Sequence, residues 1–201
     1  MRTNSQMLDW AKGRVSGHFI DLTTGKKQGA FELNNTITYS GADIMARLVA
    51  GDTRYAPGYM GFVYGSTPPG TEPPVSRMQT WDTIKEELTH TSPASNVLIA
   101  PLSSGPAYSV DGNEEIYSHN AVTLTAHTGT RLEYGFPTGG VYADELADNN
   151  NLWYAMLLTR IVSGSTVTYI PFARVTLKNA GQYPVKPENF ELALFWQVSY
   201  F

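Results

Sequence analysis

The chain has 201 residues, a formal net charge of −4 and no cysteine, with 42% hydrophobic, 12% aromatic and 16% charged residues. That length holds one large β domain or two small ones, one being the simpler expectation. The acidic balance offers no basic field to phosphate backbones, which excludes nucleic acid as a direct partner, and the lack of thiols excludes disulfides, thiolate metal sites and thiol catalysis.

Residues 1–17 read as an N-terminal arm or short helix, with Met7, Leu8 and Trp10 available to pack on something else. The opening "MRTNSQMLDWAKG" lacks the continuous apolar stretch of a secretory signal. No window reaches the ~18–20 apolar residues of a membrane span, so no membrane partner is expected. The protein is expected to stay in the cytoplasm where it is made, unless it leaves as part of a larger particle.

Residues 18–201 read as a single domain. "GHFIDLTTGKKQGAFEL" forms two short strands around a turn at Thr24-Gly25-Lys26-Lys27. In "YSGADIMARLVAGD", Ile44, Met45, Leu48 and Val49 recur at helical spacing, with Ser40 as N-cap and Gly51 as C-cap. A helix of about ten residues near 41–50 is too short to stand alone and must dock on the sheet. Met60 to Tyr64 reads as a strand entering a proline-rich loop at 66–74, where Pro68, Pro69, Pro73 and Pro74 remove donors and stiffen the backbone.

"WDTIKEEL" has room for a turn or two of helix. "NVLIAPLSS" is a short strand stopped by Pro101, and Gly105 to Asn113 reads as turns. From residue 116 onward, segments rich in β-branched and aromatic residues dominate, two of them joined by a hairpin at Ser163-Gly164-Ser165. Many strands, frequent turns and one small helix predict a mainly β fold, an antiparallel, jelly-roll-like β-sandwich.

The final segment, "ELALFWQVSYF", alternates. Leu192, Leu194, Trp196, Val198 and Tyr200 share one face and can line a core. Phe195 and Phe201 share the other face, with Ala193, Gln197 and Ser199. Their expected place is a second core layer or an oligomer contact, because an open strand edge or greasy second face must be covered.

No catalytic, cofactor-binding or metal-binding residue is predicted. His119 and His127 would lie roughly 26 Å apart on a continuous strand, too far to share an ion. There is no G-x-S-x-G elbow, and the many serines sit in turn-like contexts. "DGNEE" (Asp111 to Glu115) and "DNNN" (148 to 151) read as polar turns, with a hard cation at the first, and Ca2+ or a sugar at the second, as the alternatives. The abundant Tyr and Trp fit a core and a protein interface; a carbohydrate-binding platform on loops 134–142 or 149–154 is an alternative.

Three stretches together resemble small structural proteins of tailed-bacteriophage virions. They are "FIDLTTGKKQGAFELNNTITYSGADIMARLVAGD", "GYMGFVYGSTPPGTEPP" and "YIPFARVTLKNAGQYPVKPENFELALFWQVSYF". The resemblance covers roughly residues 18 to 74 and 150 to 201; the middle departs from it, with a longer insertion from about 75 to 115. It implies a non-enzymatic virion component assembled in the host cytoplasm, foremost a capsid cement or decoration protein. The implied partners are the major capsid protein or other virion proteins, and further copies of the chain as a trimer or dimer. A tail, neck or baseplate adaptor or fibre protein is the alternative within the same virion. The interface would draw on Met7, Leu8, Trp10, Pro68, Pro69, Pro73, Pro74, Phe195 and Phe201.

Overall fold

A computed structural model of the protein describes residues 11–66, 68–69, 80, 96–102, 104–110, 120–127, 141–142 and 149–200. Among them the elements run β1 (Ala11–Asp21), β2 (Lys27–Ile37), α1 (Tyr39–Val49), β3 (Tyr59–Gly65), β4 (Asn96–Pro101) and β5 (Ser104–Val110). They continue with β6 (Asn120–His127), β7 (Val141–Tyr142), β8 (Asn151–Ser163), β9 (Thr166–Thr176) and β10 (Phe190–Tyr200). The strands join in the order β5-β6-β10-β1-β2-β9-β8-β3-β4-β7, antiparallel except for the short β4–β7 pair. The protein is therefore mainly β and antiparallel, with one short helix among the described residues.

The layering takes the form of one continuous, curled sheet, and β2 is its corner. Lys27 to Asn35 run beside β1, after which Thr36 and Ile37 cross over to Arg174 and Ala173 of β9. The two halves on either side of this corner share a core. Val15, Phe19, Leu194 and Trp196 from one half belong to the same buried cluster as Met60, Phe62, Leu157 and Phe172 from the other. A second cluster, including Val63, Trp153, Tyr154, Met156, Leu158 and Tyr169, lies on the opposite face of the β3–β8–β9 half.

β1 starts at Ala11, so the expected arm gives up its residues 11–17 to the sheet. The cause is an alternation that continues back past Gly17: Gly13, Val15, Gly17 and Phe19 are buried, while Arg14 is exposed and Ser16, His18 and Ile20 are half-buried. Ser104 to Val110, most of it read as turns, is strand β5. Its register with β6 shifts between Ser104 and Ala107, and that irregularity accommodates Gly105 and Pro106 on an outermost strand.

The helix is capped two residues earlier than expected. Thr38, not Ser40, is the N-cap: its hydroxyl oxygen accepts from the Gly41 N–H at 2.9 Å and donates to the Pro171 carbonyl at 2.6 Å. One side chain thus caps α1 and ties it to β9. Gly41 permits the approach, since a Cβ there would collide with the Phe172 carbonyl oxygen. Ile44 is buried beneath the helix, but Val49 is 89% exposed, so the apolar stripe ends at Leu48.

β10 lies inside the sheet, with β1 on one side and β6 on the other. Both of its edges are therefore paired within the chain, the second by a segment distant in sequence, so the expected core layer or oligomer contact concerns its second face, where Phe195 lies. Besides the outer sides of the terminal strands β5 and β7, an unpaired edge lies at the corner. Among the described residues, Lys27 to Asn35 of β2 pair with no strand on the side away from β1. Lys26, Lys27 and Glu32, with a register shift near Gly29, guard that edge against uncontrolled pairing.

Candidate functional site: a groove beside the proline loop

Between β9 and β10 the chain makes a compact loop. Asn179 and Gln182 exchange two backbone hydrogen bonds, at 2.8 and 3.0 Å, around Ala180 and Gly181. Both central residues have positive φ, 48° and 84°, as a tight primed hairpin turn requires. The loop then returns along the start of β8. The Leu152 N–H donates to the Pro184 carbonyl at 2.8 Å, and the Asn149 N–H donates to the Lys186 carbonyl at 2.8 Å. Asn151 Nδ2 donates to the Ser66 carbonyl at 3.2 Å, joining this region to the end of β3 where the proline loop begins.

These bonds hold the walls of an open groove of about 680 Å3 whose lining includes Pro68, Pro69, Asn151, Lys178, Tyr183 and Val185. Prolines stiffen one wall and Val185 offers exposed apolar surface. Flanking the hairpin turn, the Lys178 ammonium lies 5.7 Å from the centre of the Tyr183 ring. Gln182 adds an exposed amide. The lining presents amides, one ammonium and apolar surface, which is equipment for holding a ligand or a neighbouring chain.

Of the predicted interface residues, Pro68 and Pro69 come together in this groove. Phe195 does not join them. It is half-buried on the outer face of the β1–β10 pair, stacked on His18 with ring centroids 5.3 Å apart and planes at 25°. Met7, Leu8, Trp10, Pro73, Pro74 and Phe201 lie outside the described residues, as do "WDTIKEEL" and "DGNEE".

No arginine was among the predicted interface residues. Arg174 is fully buried and lies 3.8 Å from the Tyr154 ring centre, a cation–π contact inside the second cluster's face. The one available signal was a lone charge within the apolar run "YIPFARVTL". Among the described residues no group of three or more His, Asp or Glu side chains could hold a metal ion. No helix among them is long and apolar enough to cross a membrane. Compared with protein-family models, curated proteins and solved structures, the chain matches none.

Proposed function

We propose that this protein is a structural component of a tailed-bacteriophage virion, a capsid cement or decoration protein that stabilises the shell by bridging its subunits. The observation that carries the reading is the groove itself. Residues from two of the three stretches that resemble virion proteins, Pro68 and Pro69 from one and Lys178, Gln182, Tyr183 and Val185 from another, are remote in sequence and line one open concavity. A preformed wall loses little freedom on binding, so apolar burial at roughly 25 cal/mol per Å2 is not spent on ordering loops. In this reading the protein acts by adhesion, as a homo-oligomer, and makes or breaks no covalent bond.

The test is quantitative mass spectrometry on purified particles of the phage that encodes the chain. A copy number comparable to that of the major shell protein supports the cement role. A number matching a single ring supports the tail, neck or baseplate alternative, and absence from the particle ends the virion reading. Val185→Glu, at an exposed position of the groove, is expected to leave the fold intact and abolish attachment.

A carbohydrate-binding module is the second reading, and the same groove favours it. Asn151 and Gln182 place amide donors and acceptors beside Tyr183 and Val185, a mixture suited to sugar hydroxyls and C–H faces. A glycan array with the purified chain separates the two: saturable glycan binding lost in Val185→Glu, with no particle association, favours the module.

A further inference from the structure

The open edge of β2 carries two opposite charges whose placement is set by a bulge. Gly17 of β1 pairs with Phe31 and Phe19 with Gln28, so Gly29 and Ala30 together face the single residue His18. Gly29 takes a φ of 64° there. The extra residue changes the face on which the neighbouring side chains stand. Lys27 pairs with Ile20 and Glu32 with Ser16, and Ile20 and Ser16 are four residues apart on β1. Lys27 and Glu32 therefore share the outer face of the sheet, although a regular strand would set residues five apart on opposite faces.

Lys27, Gln28, Gly29, Ala30 and Glu32 are all exposed, so this stretch of edge meets solvent. Its charges are complementary to themselves in one orientation. Two copies laid antiparallel about a two-fold axis between Gly29 and Ala30 set Lys27 of each copy opposite Glu32 of the other. At the axis, Gly29 and Ala30 bring no more than one methyl group each between the two backbones. Parallel, in-register pairing would instead set Lys27 on Lys27 and Glu32 on Glu32, and is repelled. The charges that guard the edge against arbitrary strands thus select one partner and one direction. Within the chain, Arg14 Nε lies 3.4 Å from Glu32 Oε1. A carboxylate accepts through both oxygens, so Glu32 can take a second cation beside Arg14. Thr36 and Ile37, which turn away to β9, lie beyond the paired stretch, so the corner is left intact.

The geometry points to a dimerisation edge: β2 strands of two copies of this chain pair antiparallel from Lys27 to Glu32, which makes one continuous sheet of their outer halves. The inference rests on the homo-oligomer part of the proposed function, but needs neither the groove nor a virion. The contact is isologous, and one short strand pair makes it small, as in transient dimers.

The experiment is sedimentation equilibrium of the full chain at low ionic strength, with backbone amide exchange followed at the same concentrations. A range from about 10 μM to about 1 mM brackets a dissociation constant on the order of 0.1 mM. A monomer–dimer equilibrium is expected, with protection that rises with concentration only at residues 27–32. Lys27→Glu and Glu32→Lys each set like charges across the axis and should weaken the dimer about tenfold or more. Mixed in equal amounts, these two variants regain opposite charges at both contacts, and their heterodimer should form about as tightly as the parent dimer. Val162→Glu, an exposed change on the β8–β9 hairpin, also makes the chain more acidic but should dimerise as the parent does. Should Glu32→Lys fail to fold, the parent and Lys27→Glu still supply the test through sedimentation and exchange. A dimer that Lys27→Glu leaves unchanged would overturn this edge while the homo-oligomer reading stands on another surface. Weakening without rescue in the mixture would overturn the antiparallel register. A chain that stays monomeric throughout would overturn both the edge and self-association in solution, and would leave the particle copy number as a separate question.

Discussion

Strands β1 and β8 are both long and both lie between two neighbours, yet they are buried differently. β1 alternates, with Val15 and Phe19 inward and Arg14, Ser16 and His18 toward the outer face. β8 is buried without interruption from Leu152 to Thr159. Its inward residues, such as Ala155 and Leu157, join the shared core, and Tyr154, Met156 and Leu158 join the second cluster. One half of the curled sheet thus has a single apolar face, and the other has two. A one-faced strand can vary on its outer side, whereas a two-faced strand is constrained at every position.

The sharpest way to break this comparison is truncation at successive positions. Leu157→Ala and Leu158→Ala point to opposite faces of β8, and each is expected to cost about 2–5 kcal/mol in urea unfolding. In β10, Trp196→Ala should cost about 3–5 kcal/mol, while its neighbour Phe195→Ser should cost about 1 kcal/mol, the scale of a half-buried ring stack. A near-neutral Leu158→Ala would show that the second face of β8 contributes little, and the two halves would then be equivalent.

This contrast was partly legible in the residues. The run "NLWYAMLLTRIV" has no polar alternation, which marks a strand covered on both sides. The alternation around Val15 to Phe19 marks a one-sided strand, although its start before Gly17 was obscured by two glycines that carry no apolar signal. β5 was hidden by Gly105 and Pro106, because local turn chemistry cannot reveal that a register irregularity will absorb both. The interior position of β10 was not legible at all. Periodicity assigns a strand its faces but not its neighbours, and β6 reaches β10 from far away in the chain. By contrast, the prolines at the wall of the groove were visible in the sequence as a cluster after β3.

A smaller effect tests how α1 is fixed to the two-faced half. Gly41→Ala should drive a methyl group into the Phe172 carbonyl and cost about 1–3 kcal/mol, as overpacking does. Thr38→Val keeps the shape but removes both the cap of Gly41 and the bond to Pro171, and should cost about 0.5–2 kcal/mol. If the helix merely rests on the sheet, Gly41→Ala will be stabilising, as Gly to Ala is in an open helix.

The smallest expected effect belongs to the one-faced half and is read by pH. At the β1–β2 turn, the Asp21 carboxylate accepts from the Thr23 N–H at 2.7 Å and the Thr24 N–H at 3.1 Å. The bond from Thr23, and then those from Thr24, hold its pKa below the ordinary value of 3.8. A carboxyl group with a depressed folded-state pKa contributes stability above its unfolded value and loses that contribution as pH falls through the folded one. The turn should therefore weaken only below about pH 4. Asp21→Asn should flatten that part of the thermal-midpoint profile and lower the neutral midpoint slightly, because the amide lacks the charge that the two N–H groups favour. A parent profile already falling between about pH 5 and 7 would instead point to titration of a different group, such as a histidine.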